Sequence, residues 1–170
     1  MDLHWIGAIL IIVGCGGVGF LMALHEKREF DTICQLNGAL EFMICELSCR
    51  MTPLPELCRL ASRQCRGSLR AFFSHLVDEL EFQLSPDVEC CMRAAVCKVP
   101  ELPGKTRQLL NIMGVTLGRF DLQGQLRGLE GLHAQCSSAQ KALEVNRDQR
   151  LRSYQTLGLC VGAALAILFL

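Results

Sequence analysis

The architecture turns on LGLCVGAALAILFL, residues 157–170. It carries no charge, and Gly158, Gly162 and Ala166 recur every four residues, placing three small residues on one helical face. In a bilayer such a face lets another helix backbone approach closely. Taken from Tyr154 the uncharged run reaches 17 residues, about 25 Å of helix and the lower limit of a crossing. The rest of the chain must say whether this tail crosses a membrane, and against what it packs.

The other end answers in kind. Leu3 to Leu24 is 22 residues without a formal charge, about 33 Å as a helix and enough for a hydrocarbon core. A secretory signal is the rival. Against it, the segment before the apolar run holds Asp2 rather than Lys or Arg, the run is longer than a signal core, and no A-x-A site follows. Gly14, Gly16, Gly17 and Gly19 lie in its second half, with Cys15 and Gly19 four apart. His4 and Trp5 sit at its outer end, where an interfacial belt suits the indole.

Basic residues flank both apolar ends on their inner sides: Lys27 and Arg28 after the first, Arg147, Arg150 and Arg152 before the second. The positive-inside rule then places the middle in the cytoplasm. The expected domains are an N-terminal transmembrane helix at 1–24, a cytoplasmic helical bundle at 25–153 and a C-terminal transmembrane helix at 154–170. In a hairpin of the two spans, Cys15 and Gly19 would face Gly158, Gly162 and Ala166.

The middle reads as helices throughout. Ile33, Leu36, Leu40, Met43, Ile44 and Leu47 keep the 3–4 spacing of an amphipathic helix that continues the first span and ends near Arg50. Thr52-Pro53-Leu54-Pro55-Glu56 makes a turn, with Thr52 as N-cap and Pro53 at the first helical position of the next helix. That helix carries Leu54, Leu57, Cys58, Ala61 and Cys65 to a stop near Gly67. Leu69, Phe72, Phe73, Leu76, Val77 and Leu80 form a further stripe. Ser85-Pro86-Asp87 starts a helix running to about Lys98, and Pro103-Gly104 precedes another from about Lys105 to Leu117, with Gly118 as its C-cap. Asp121 is the N-cap expected for the last helix, whose seam is Leu122, Leu126, Leu129, Cys136, Ala139 and Leu143. Gly124, Gly128 and Gly131 lie beside that seam, either as a smooth face for close packing or as a helix start held by tertiary contacts. With strand-type alternation missing, the fold class is all-α: a membrane-anchored bundle of about six helices between two transmembrane helices.

Charge excludes one class of function. Lys plus Arg and Asp plus Glu balance at 17 each, which gives no nucleic-acid surface. Motifs exclude others: there is no Walker loop, no dinucleotide fingerprint, no H-E-x-x-H and no nucleophile elbow. Eleven cysteines stand out, with no C-x-x-C pair and no histidine at zinc spacing. Most occupy apolar positions of helical patterns, where free Cys behaves as a small hydrophobe. No cofactor, metal or catalytic residue is expected. The alternative is a membrane-tethered helical protein using these thiols as a redox or metal site.

The order of features carries a resemblance. A glycine-bearing span is followed by a helix ending E-L-S-C-R-M-T-P-L-P-E-L. After it come Leu117-Gly118-Arg119-Phe120-Asp121 and a long helix to Tyr154-Gln155-Thr156-Leu157-Gly158 and an apolar end. Over essentially its whole length the chain closely resembles the stage III sporulation protein AB family of endospore-forming bacteria. It departs from the family pattern at Ser48 and Cys49, where Tyr-Gly often precedes the turn, and in its load of cysteines. That family is similar to the cytoplasmic six-helix domain of type II secretion and type IV pilus inner-membrane platform proteins. The resemblance implies a place in the secretion-like channel complex joining mother cell and forespore during engulfment. It implies the outer forespore membrane as location, with the helical domain on the mother-cell side. The implied partners are other stage III channel proteins, including the secretion-type ATPase, stage III AA. A homo-oligomer is open. The candidate partner contact is the turn Thr52, Pro53, Leu54, Pro55 and Glu56, since a proline-rich loop between helices can be spared from the core; a plain connector is the alternative.

Overall fold

The computed structural model describes the backbone of residues 2–82, 87–117 and 122–169, and side-chain surroundings for 24–82, 87–117 and 122–145. Six helices occupy these residues, with no strand among them: α1 Asp2–Arg50, α2 Leu54–Gln64, α3 Gly67–Glu81, α4 Val88–Lys98, α5 Gly104–Leu117 and α6 Leu122–Phe169. The expected caps at Gly118 and Asp121 and the proline start at Ser85-Pro86 lie outside the described residues. So do the side chains of both expected spans. Among the described residues no helix is long and apolar enough to cross a membrane.

By contacts the chain divides into two compact units, one of Met1–Arg28 with Ala142–Leu170 and one of Glu29–Lys141. The second holds the described core. Its centre is the lower half of α1, where Ile33, Leu36, Leu40, Met43 and Leu47 are buried at the spacing that the sequence displays. Phe72 and Phe73 of α3 are fully buried and meet edge to face, ring centroids 5.2 Å apart. Such a pair adds about 0.5–1.5 kcal/mol beyond its buried area.

Consecutive helices pack in sequence: α2 on α3, α3 on α4 and α4 on α5. α4 and α5 come so close that a Cβ added at Gly114 would stand 2.9 Å from Met92 Cβ. Among the contacts of α1 with α6 are a Cys136 thiol donating to the Ile33 carbonyl (3.5 Å) and an Asn37 amide donating to Gln140 (3.4 Å). It also receives the start of α5, where the Lys105 backbone N–H donates to Glu29 (3.3 Å). Arg66 N–H, at the start of α3, donates to Gln35 of α1 (2.8 Å). Orphan donors at helix starts are thus met by α1 side chains rather than by local caps.

Short connections set the hairpins. Between α2 and α3 the chain is extended at Cys65 and Arg66, and Gly67 takes φ +59°, a left-handed conformation that only glycine adopts cheaply. α4 starts at Asp87, whose carbonyl accepts from Cys91 N–H (3.0 Å) without a side-chain cap. The start of α2 differs from expectation. Pro53, not Thr52, is the N-cap, and its carbonyl accepts from Leu57 N–H at 2.9 Å. The Thr52 hydroxyl is drawn elsewhere, to the Glu46 carboxylate (3.3 Å), so it is not free to cap the helix.

Of the three seam glycines, only Gly128 is shown to need its missing side chain: a Cβ there would overlap the Thr116 methyl of α5, whereas Gly131 faces open space. At Gly128, then, α6 comes close to Thr116 of α5.

Among the described residues one charge lies in the core. Glu79 of α3 is only 4% exposed, and its carboxylate accepts from Lys98 Nζ at the end of α4, 2.6 Å away. The same residue's carbonyl receives the Cys91 thiol (3.9 Å). Lys98 itself reaches solvent, so the pair is half wet.

Candidate functional site

The turn that the sequence singles out is built from the end of α1. After Arg50 the chain reverses at Met51, which has φ +51°, the left-handed region that a methionine enters only at a cost of about 1–2 kcal/mol. Its side chain, 69% exposed, is given no core contact in exchange. The compensation lies in the polar brace beside it. Glu46 is held between Arg50 (3.6 Å) and Thr52 (3.3 Å), fixing the chain on both sides of the reversal.

Pro53 is exposed, and Leu54, Pro55 and Glu56 are half-buried. Pro55 lies in the first turn of α2, where a missing N–H breaks no helical bond. Glu56 pairs with Arg59, and the same guanidinium pairs with Glu81 at the end of α3. This ties the start of α2 to the end of α3. Phe82, directly after Glu81, is 72% exposed. The five turn residues therefore belong to one end of the helical unit, where two large apolar side chains, Met51 and Phe82, stand in solvent beside a fixed ion-pair triad. Periodicity had no means of finding Phe82 or Arg59, since their part in this surface depends on α3 returning to the start of α2. Such a surface has the makings of a contact: rigid backbone, exposed apolar anchors and a charged rim.

The packing candidates Cys15, Gly19, Gly158, Gly162 and Ala166 lie outside the residues with described side chains. Nine cysteines do fall within them, none in a disulfide. Cys58, Cys65, Cys91 and Cys136 are buried, as a small hydrophobe would be. Burial pushes the Cys58 thiol up to about 12 and those of Cys65 and Cys136 up to about 11. Thiols so raised stay protonated and unreactive near neutrality. The expectation that most cysteines are core residues needs correction, however. Cys34 and Cys90 are half-buried, and Cys45, Cys49 and Cys97 are exposed. Cys45 follows Met43 by two residues, about 200° around α1 and away from its core stripe, a signal that the sequence already contained. Among the described residues no group of three or more His, Cys, Asp or Glu is placed to hold a metal ion.

Comparison with known proteins agrees with this architecture. A solved structure described as stage III sporulation protein AB (SpoIIIAB) superposes with a TM-score of 0.64 at 20% identity, covering 72% of this chain and 98% of that one. At that identity the likeness shows the fold alone. No curated protein sequence matches the chain. The family model for stage III sporulation protein AB matches residues 4–170, nearly every position from the first apolar run to the tail, and the chain belongs to that family.

Proposed function

We propose that this protein is a non-enzymatic membrane platform of the secretion-like channel between mother cell and forespore, anchored by two spans and docking a cytoplasmic secretion-type ATPase. Family membership supports the sporulation setting. The two uncharged runs, Leu3 to Leu24 and Tyr154 to Leu170, with basic residues on their inner flanks, support the anchor. The helical domain then lies in the mother-cell cytoplasm at the outer forespore membrane. Stage III AA and neighbouring stage III channel proteins are its partners, and a homo-oligomer fits the same arrangement.

One observation carries the docking site. The turn Thr52 to Glu56 leaves Met51 and Pro53 exposed on a backbone braced by Glu46, although Met51 gains no core burial for its left-handed conformation. Met51 ends α1 in the left-handed conformation by which many helices close, its N–H donating to the Leu47 carbonyl (3.3 Å), and the support for this reading is the apolar side chain left in solvent there. A redox role for the buried thiols is disfavoured by their raised pKa values.

Capture of purified stage III AA by the full-length protein in detergent tests this. Leu54→Asp, with helicity checked by circular dichroism, should lose the ATPase, and so should Met51→Asp. Undiminished capture by both folded variants removes the turn as the docking surface. Labelling of Cys15 and Cys160 against Cys45 and Cys97 in sporulating cells tests the anchor. Reaction of the first pair with a membrane-impermeant reagent as readily as the second, after selective permeabilisation of the mother cell, overturns two-span topology.

A further inference from the structure

Between Glu56 and Asp78 the chain holds four arginines and no acid, a local excess in a protein whose charges balance overall. Arg59 is used by the helical unit itself, paired with Glu56 and Glu81. The others gather at one connection: Arg63 in the last turn of α2, Arg66 in the link and Arg70 in the first turn of α3. All three are exposed, and among the described residues their guanidinium groups make no ion pair. Packing gives no reason for arginine at these positions. Electrostatics opposes it: Arg66 and Arg70 stand at the positive end of the α3 dipole, where a carboxylate would be stabilising, yet α3 has no acid in its first turn and no side-chain cap. An anion from outside the helical unit would reverse that cost.

The place of these charges says which anion. The Arg66 backbone N–H donates to Gln35 of α1 (2.8 Å), only six residues, about 9 Å, from Glu29, where the helical unit begins. The unit ends at Lys141, and its neighbour Gln140 accepts from Asn37, two residues from Gln35. The α2–α3 connection therefore sits at the end of the unit from which the chain continues toward both uncharged runs. The turn Thr52 to Glu56 lies at the other end, with Arg50 fifteen residues beyond Gln35, about 22 Å along α1. Arg63 is also some forty residues from Leu24, well outside the roughly 15–20 residues over which flanking charge orients a span.

We propose that Arg63, Arg66 and Arg70 form a contact for anionic phospholipid headgroups that holds this end of the helical unit on the bilayer. The contact rests on the two-span reading, which brings a phosphate-bearing surface to this end and leaves the opposite end in water. Guanidinium forks match phosphate oxygens, and each basic residue close to an anionic surface strengthens binding about fivefold.

Full-length protein is reconstituted in vesicles of phosphatidylcholine alone and of phosphatidylcholine with roughly a third phosphatidylglycerol, treated with phenylglyoxal and mapped by mass spectrometry. Arg50, whose side chain is 73% exposed at the far end, is the reference within each molecule. Labelling of Arg63, Arg66 and Arg70 relative to Arg50 should fall about fivefold in the anionic vesicles. It should recover in about 1 M NaCl, where the screening length is about 3 Å. In Arg66→Gln/Arg70→Gln, with helicity checked by circular dichroism, the remaining Arg63 should label alike in both bilayers. Equal relative labelling of the wild type in the two bilayers, or protection that survives salt, overturns the proposal. Protection that appears only when purified stage III AA is added assigns the arginines to a protein contact and overturns it too. Alkaline carbonate separates the two readings: extraction from both vesicles removes the anchor and the contact with it, whereas retention with unchanged labelling removes the contact alone.

Discussion

Gly128→Ala should be a costly substitution only because of one methyl group on a neighbouring helix. A Cβ at position 128 overlaps Thr116 Cγ2, and Thr116 is β-branched, so its methyl cannot swing away freely. Overpacking of this kind costs about 1–3 kcal/mol. Replacing Gly by Ala inside α6 returns about 1 kcal/mol of helix propensity. The net expectation in the wild-type background is a loss of about 0–2 kcal/mol. Thr116→Ser removes the offending methyl and keeps the hydroxyl that donates to the Ile112 carbonyl (3.1 Å). In that background the nearest remaining atom is Cβ of residue 116, at 3.1 Å, and Gly128→Ala should be neutral or stabilising. The two substitutions should thus be coupled by about 1–2 kcal/mol, well above the roughly 0.5 kcal/mol within which independent sites add. Urea unfolding of the four full-length proteins in mild detergent, followed by far-ultraviolet circular dichroism, measures the cycle. Additivity would refute the close approach of α5 and α6 at this point.

The buried ion pair makes a second test. Lys98→Ala leaves Glu79, 4% exposed in the wild type, without the lysine. Since Lys98 is itself half in water, the loss should be about 1–3 kcal/mol rather than the larger figure of a fully buried pair. Glu79→Leu with Lys98→Leu together should lie closer to wild type than Lys98→Ala alone, and a reversed order in the same unfolding assay argues against the burial. The thiols predict a pH dependence. The Cys58 pKa rises from 9.0 unfolded to about 12 folded, so its contribution is fully present below pH 9 and is lost as pH rises toward 12. By pH 10 the native state should have lost on the order of 1 kcal/mol on this account. Cys58→Ala should flatten the stability profile between pH 8 and 10 by about that much, and an unchanged slope would show that the thiol is not buried.

What the sequence displays, and what it conceals, divides along physical lines. The α1 stripe from Ile33 to Leu47 and the α3 stripe around Phe72 and Phe73 were legible because a buried helix face repeats every 3–4 residues whatever it packs against. The start of α2 lies one residue beyond the expected cap. A threonine before a proline is a good local cap, yet Glu46, six residues back, competes for its hydroxyl. The exposed cysteines were obscured by treating Cys as a hydrophobe, when the helical angle between Met43 and Cys45 puts the latter outside. The surface around the turn was half legible. Proline spacing marks Thr52 to Glu56, but Arg59 reaches Glu81 across 22 residues, and the Met51 backbone conformation leaves no trace in residue type. Of the three glycines in α6, composition cannot say which one meets Thr116.

The bridge from Cys136 to the Ile33 carbonyl spans 103 residues of chain. The pairings of α2 with α3, α3 with α4 and α4 with α5, by contrast, join sequence neighbours. Closing a long loop costs more entropy than closing a short one and slows the step that needs it. The middle helices should therefore pair early, while the stretch of α1 around Ile33 waits for α6. In a chain made from the N-terminus, residues 129–136 leave the ribosome about a hundred residues after that stretch. A nascent chain halted before Cys136 would leave Ile33 without this partner, and release of the rest of α6 would supply it. Closure of the helical unit is thus a late event in its synthesis.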